Sequence, residues 1–216
     1  STLVLIRDSA HGLETFLMRR PLTMKFAPGM SVYPGGALDQ ADFDDPVTRM
    51  LDPEHAVFNA ARASATVPEY LALVACAIRE TREEAGVRIT DPRQVILTDH
   101  WVTPEHESRR FDVRFFIAQL PEGETATIAS SEADHAEWIH PAEALERQSD
   151  PRAWMTLPGV GVWTAAETAQ RALGDADALG QRHRAQVVPL DQFHAHLLRE
   201  ERMFEIGRVV HAGRHD

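Results

Sequence analysis

Residues 66–86 constrain the fold of this chain most, because they spell out a helix with both of its ends marked. Thr66 with Glu69 three residues on forms a capping box, and Pro68 sits within the first turn, where helices tolerate it. Leu71, Val74, Ile78 and Ala85 recur at helical spacing, and Gly86 supplies a natural C-terminal stop. Glu80, Glu83 and Glu84 fall within roughly 100° of one another, and their mean direction lies roughly 160° from that of the apolar residues. The spacing predicts a helix from about Thr66 to Ala85, with one side on a core and three carboxylates on the other. Carboxylates that close repel one another unless something cationic sits among them. A hard divalent cation with oxygen ligands, Mg²⁺ or Mn²⁺, meets that need and points to metal-assisted chemistry on an anionic substrate. For the triplet alone, an ordinary solvated acidic face stays open.

Strand signals surround the helix. Leu3 to Ile6 and Thr15 to Met18 flank the turn-rich Asp8 to Gly12 and predict a hairpin. Ser31-Val32-Tyr33 leads to Pro34-Gly35-Gly36, a sharp stop. Residues 37–65 hold Asp39, Asp42, Asp44, Asp45 and Pro46, which favour loop and turn, and then Pro53 to Ala63, a short helix. Strands are expected at Gln94 to Thr98, Phe111 to Ala118 and Glu137 to His140. Helices are expected at Pro141 to Arg147, Thr164 to Ala172 and Leu190 to Glu201, and a last strand at Arg208 to His211. This mixture predicts an α/β (α+β) sandwich with a mixed sheet.

Composition narrows the partners. The 216 residues suit one elaborated domain, and 44% hydrophobic residues with 25% charged supply an ample core. A net charge of -11 with no basic block excludes a nucleic acid polymer as a generic partner, while bound metal still permits a small phosphorylated one. The single cysteine, Cys76, allows no disulfide within the chain and is expected as a small packed residue. No apolar run approaches about 18 residues and no signal-peptide pattern is seen, so a cytoplasmic protein off the membrane is the expectation. His183, His194 and His196 lack zinc spacing, and Gly159-Val160-Gly161 fails as a dinucleotide fingerprint. Trp101, Trp154 and Trp163 are assigned to packing rather than to stacking on an adenine.

Arg79-Glu80-Thr81-Arg82-Glu83-Glu84-Ala85-Gly86-Val87, with Gly36 upstream, resembles the Nudix box, G-x5-E-x7-R-E-U-x-E-E-x-G-U, where U is bulky and aliphatic. Thr81 departs from it by filling an aliphatic slot. Gly36 to Arg79 spans 43 residues against fourteen in the family, so an insert of about 29 residues splits the box, and Asp42 stands in the register of the first glutamate. The split resembles the branch that includes peroxisomal coenzyme A diphosphatases. Phe16 to Gly36 is similar to the upstream signature of coenzyme A hydrolases through Leu17, Arg19, Arg20, Lys25, Gly29, Tyr33, Pro34, Gly35 and Gly36, with Met18 and Pro21 departing from it.

The resemblance implies a Nudix α/β/α sandwich that spans 1–216 as one domain, with 37–65 as a helical insert and 146–216 as a C-terminal helical extension packed on it. It implies hydrolysis of a diphosphate linkage in a nucleoside diphosphate derivative, with Mg²⁺ or Mn²⁺. Glu80, Glu83 and Glu84 would bind metal, Gly35 would add a backbone carbonyl, and Arg79 would orient the carboxylates. Glu132, six residues before Trp138, would be a further ligand or the general base, with Glu124, Glu105 and Glu107 behind it. Arg19, Arg20, Lys25, Tyr33 and Gly36 would face substrate, the cations meeting a phosphate of coenzyme A. Asp39 and Asp42 are assigned to turns. ADP-ribose, NADH and dinucleoside polyphosphates are the other substrates, and a catalytically silent ligand-binding domain is the rival from another class. The C-terminal segment is assigned to covering substrate or to a possible homodimer.

Overall fold

The structure, a computed structural model, describes residues 1–10, 12–25, 27–103, 105 and 110–148. By backbone contacts the chain divides into Ser1–Glu167 and Thr168–Asp216, and every described residue belongs to the first unit. The expected helices and strand beyond residue 148, and the packing of the 146–216 extension, lie outside the described residues. None of the described helices is long and apolar enough to cross a membrane.

A mixed sheet forms the centre. β1 (Thr2–Ser9) and β2 (Gly12–Arg19) make the predicted hairpin, and β1 runs parallel to β5 (Asp112–Gln119) on its other edge. With β3 (Ser31–Val32) and β4 (Ile96–Val102) the order is β3-β2-β1-β5-β4, and β6 (His135–Ile139) also pairs with β2. Leu3 to Ile6 are all buried, as a central strand covered on both faces requires. α1 (Pro53–Arg62), α2 (Val67–Ala85) and α3 (Pro141–Gln148) complete the described elements.

α2 forms as its caps dictate. The Thr66 side chain accepts from the Glu69 N–H, and the Glu69 carboxylate accepts from the Thr66 N–H at 2.8 Å. Tyr70, Leu73, Val74, Ala77 and Ala85 enter one core with Leu3, Leu5, Phe16, Leu97 and Phe116 from the sheet. Leu71 and Ile78, expected in the buried stripe, are only half-buried. The buried face is turned toward Tyr70, Ala77 and Thr81, because the insert also covers this helix. Thr81 explains how a hydroxyl fills an aliphatic slot. Fully buried, it donates to the Ala77 carbonyl at 2.7 Å, so its polar atom is satisfied within the helix.

The insert is more ordered than its composition suggested. Two 3₁₀ turns, Gln40–Asp44 and Pro46–Met50, are capped by Asp39 and Asp45, and α1 ends one residue short of Ala63. The end of the insert is fastened to the sheet by the buried Arg114, which donates to the carbonyls of Ala63 at 2.9 Å and Ser64 at 3.4 Å. β4 begins two residues later than expected and runs four further. The Asp91-capped turn Pro92–Gln94 takes its start, and His100 to Val102 find partners on β5.

Gly86 ends α2 at φ +71, where a Cβ would meet only Thr127 Oγ1 at 3.6 Å and Ala129 Cβ at 3.7 Å. Space is available, so an alanine pays only for the left-handed backbone. Gly86→Ala is expected to lower the unfolding free energy by about 1 kcal/mol in a urea titration.

Candidate active site

The Pro34-Gly35-Gly36 turn is pinned beside the start of β1. Thr2 and Gly35 form an antiparallel bridge, and the Leu3 N–H donates to the Pro34 carbonyl at 2.9 Å. This brings both glycines against the acidic turns of α2. The Gly35 N–H donates to Glu84 Oε2 at 2.9 Å. The backbone of Gly36 lies so close to Glu80 that a Cβ would stand 2.1 Å from its Oε1. At Gly35 a Cβ would stand 2.5 Å from the Ser1 carbonyl oxygen. Close approach, not turn geometry, demands glycine at both positions.

Arg79 organises the carboxylates around it. Its Nε donates to Asp42 Oδ1 at 2.9 Å and its Nη2 to Asp42 Oδ2 at 3.0 Å, a bidentate pair. Its Nη1 reaches Glu80 Oε1 at 2.8 Å and Glu83 Oε2 at 3.2 Å, and Nη2 also reaches the Ala37 carbonyl at 3.1 Å. These bonds, those to Asp42 first, raise the guanidinium's pKa. Burial alone would raise the carboxyl of Asp42, but the bonds from Arg79 and from the Asp39 N–H hold it below the ordinary value. Asp42 forms the turn expected of it, as the reciprocal partner of Asp39, and it also anchors the arginine. Its place six residues after Gly36 was the signal for that second role.

The three glutamates are not equivalent. Glu83 is 48% exposed, Glu80 is 14% exposed, and Glu84 is buried, although the sequence placed all three on an outward face. Burial pushes the Glu84 carboxyl up to about 7. The Gly35 N–H pulls it down, the charges of Glu132 and Glu80 push it further up, and Arg20 draws it back. Glu132 itself is exposed. The segment that carries it is joined to α2 by Thr127 and Ala129, whose N–H groups donate to the carbonyls of Ala85 at 3.0 Å and Glu84 at 2.9 Å.

The other expected residues divide. Arg20 sits close enough to act on Glu84, whereas Arg19 pairs with Asp134 at 2.7 Å, and Lys25 is exposed on the 21–30 loop. Tyr33 departs from the expected substrate-facing role. It is 4% exposed, and burial raises its hydroxyl to about 12, with Thr15 as its polar neighbour. Glu124 accepts the Arg88 N–H at 2.8 Å and so ties two distant loops together, Glu105 is exposed, and Glu107 lies outside the described residues. Trp101 is half-buried on β4. Cys76 is packed as expected, with Sγ 3.4 Å from the Ala37 carbonyl and 3.5 Å from Arg79 Nη2, and burial raises its thiol pKa. Trp154, Trp163, the glycine pair and the three histidines lie outside the described residues.

Among the described residues no three acidic, imidazole or thiol groups already converge to hold a metal ion. Glu80 and Glu83 are held by Arg79, and Glu84 by Gly35. In charge and atom type the set nevertheless fits a hard divalent cation. Burial first, and then the charges of Glu132 and Glu80, favour the protonated form of Glu84, and a cation beside it would relieve that cost.

Residues 67–159 match the family model described as NUDIX domain, a span that begins at α2 and leaves out the insert and the glycine turn. A putative nudix hydrolase 7 of Caenorhabditis elegans is 28% identical over 145 residues, covering 62% of this chain and 48% of that protein. An acyl-coenzyme A diphosphatase of Xenopus laevis is 24% identical over 224 residues, covering 70% of this chain and 59% of that protein. The chain thus spans about half the length of these relatives. The crystal structure of a NUDIX hydrolase from Alicyclobacillus acidocaldarius superposes with a TM-score of 0.56 at 22% identity, covering 76% of this chain and 93% of that one, a likeness of fold.

The two buried carboxylates should leave opposite marks on stability against pH. Asp42 has a lowered folded pKa, so its contribution is present above the unfolded value and is lost as pH falls through the folded one. Glu84 is raised from 4.5 to about 7, so the folded state loses stability as pH rises between those values. Denaturant titrations across pH should show Glu84→Gln flattening the 4.5-to-7 slope. Asp42→Asn should cost about 2 kcal/mol at neutral pH, by loss of charge-assisted bonds to Arg79.

Proposed function

We propose that the chain, whose residues 67–159 match the NUDIX domain model, is a metal-dependent hydrolase of a diphosphate linkage in a nucleoside diphosphate derivative, with coenzyme A or an acyl-coenzyme A as its substrate. The observation that carries this reading is the packing of Glu80 and Glu84, both within the span that matches the NUDIX domain model, against the Gly35-Gly36 turn. Bound there, Mg²⁺ or Mn²⁺ would neutralise the diphosphate and polarise its phosphoryl oxygens. Glu80, Glu83, Glu84 and Glu132 are the side chains that would hold it. Arg79 keeps Glu80 and Glu83 on one side of α2, and the Gly35 N–H fixes the Glu84 carboxylate. The exposed Glu132 is the group that would take a proton from an attacking water. Arg20, beside Glu84, supplies a fixed cation for a substrate phosphate.

The choice of coenzyme A rests on the Phe16 to Gly36 pattern, on the split box and on the named activity of the Xenopus laevis relative. The test is to incubate the protein and Mg²⁺ with coenzyme A, ADP-ribose, NADH and diadenosine polyphosphates, and to identify products by mass spectrometry. Release of 3′,5′-ADP and 4′-phosphopantetheine is expected. Turnover of another substrate without those products rejects coenzyme A. Combining Glu83→Gln with Glu84→Gln should abolish Mn²⁺ binding and lower turnover by about 100-fold or more. Retention of both would reject the metal-dependent hydrolase.

A further inference from the structure

The segment 127–134 carries Glu132 and is tied at both ends. At its start the N–H groups of Thr127 and Ala129 donate to the last carbonyls of α2. At its end the Asp134 N–H donates to the Arg19 carbonyl at 3.0 Å, and the Arg19 guanidinium donates back to Asp134 Oδ1 at 2.7 Å. Ala133 is buried in the core between them. Glu132 stands one residue earlier, exposed, with its N–H on Ser130 Oγ at 3.2 Å.

We propose that the Arg19–Asp134 pair is a positioning device, which fixes the end of this segment so that Glu132 is held near the Glu84 carboxylate. This deepens the hydrolase reading and rests on it. The pair is 32% and 38% exposed, and such surface pairs add only about 0–1 kcal/mol to global stability. Its effect is local. Pairing of β6 with β2 fixes the backbone from His135 onward, but the step back to Glu132 keeps torsional freedom that this ladder does not remove. A two-point attachment through both backbone and side chain removes that freedom. It also commits the Arg19 guanidinium to a carboxylate, which separates it from Arg20, whose charge acts on Glu84.

The test combines hydrogen exchange with a mutant cycle on the full chain. In Arg19→Gln and in Asp134→Asn, amides of 130–134 should exchange faster while those of α2 are unchanged. Unchanged exchange in 130–134 overturns the proposal. On a diphosphate substrate with Mg²⁺, each variant should lower kcat about tenfold at unchanged KM. Neither should lower it further in a Glu132→Gln background, and Arg19→Lys should recover part of the loss. Equal losses in both backgrounds overturn the proposal and make the pair merely structural. A raised KM in Arg19→Gln with a silent Asp134→Asn also overturns it and makes Arg19 a substrate ligand. If the wild type turns over none of the diphosphates, the hydrolase reading fails, and the exchange rates alone decide whether the pair holds the segment.

Discussion

One guanidinium holds the candidate site together. Arg79 has five donors, and the structure spends them on Asp42, Glu80, Glu83 and the Ala37 carbonyl. Without it, Glu80 and Glu83 would repel each other and Asp42 would be a buried carboxylate with no counter-charge. With it, two glutamates are oriented from within α2 and the front of the insert is drawn onto the same helix. A lysine would not do this, because a single ammonium cannot match two carboxylate oxygens and still reach a second acid in a fixed plane.

The glycine turn complements that arrangement from the sheet side. Gly35 offers an N–H to Glu84, and Gly36 offers only the absence of a side chain, which lets Glu80 come close. The sheet fixes where the turn lies, α2 fixes where the acids lie, and the residual space between them is narrow enough to bury Glu84. A buried carboxylate with a pKa near 7 among other acids is a strained ground state, and strain of that kind is characteristic of functional sites.

How much of this was legible depended on the range of the interaction concerned. Thr66, Glu69, Pro68 and Gly86 act on neighbours within one helical turn, so α2 could be drawn with both ends. The β1–β2 hairpin was equally local. The turn at Asp42 is local and legible, and its register after Gly36 points to a further role, but the partner itself lies 37 residues away, where the insert hides it. The burial of Glu84 was invisible for a related reason, since it depends on a turn that folds against the helix from another part of the chain. Leu71 and Ile78 were placed in the core because periodicity gives the direction of one apolar stripe but not which further elements cover the helix. Tyr33 matched a pattern for substrate contact, yet the sheet beside it turned its ring inward. The family model, which begins at α2, likewise registers the local half of the site.

The insert meets the rest of the unit at two fixed points, Asp42 on Arg79 at its front and Ala63 with Ser64 on Arg114 at its back. A loop whose ends are fastened pays for added length only logarithmically, about 0.6 kcal/mol for each doubling. Between the fastenings Leu51, Ala56 and Ala60 are packed into the core, so that tolerance is confined to the outward surface, where Met50, Val57 and Phe58 are exposed. Substitutions or added residues on that surface can change what the insert meets while the acids beneath stay in place.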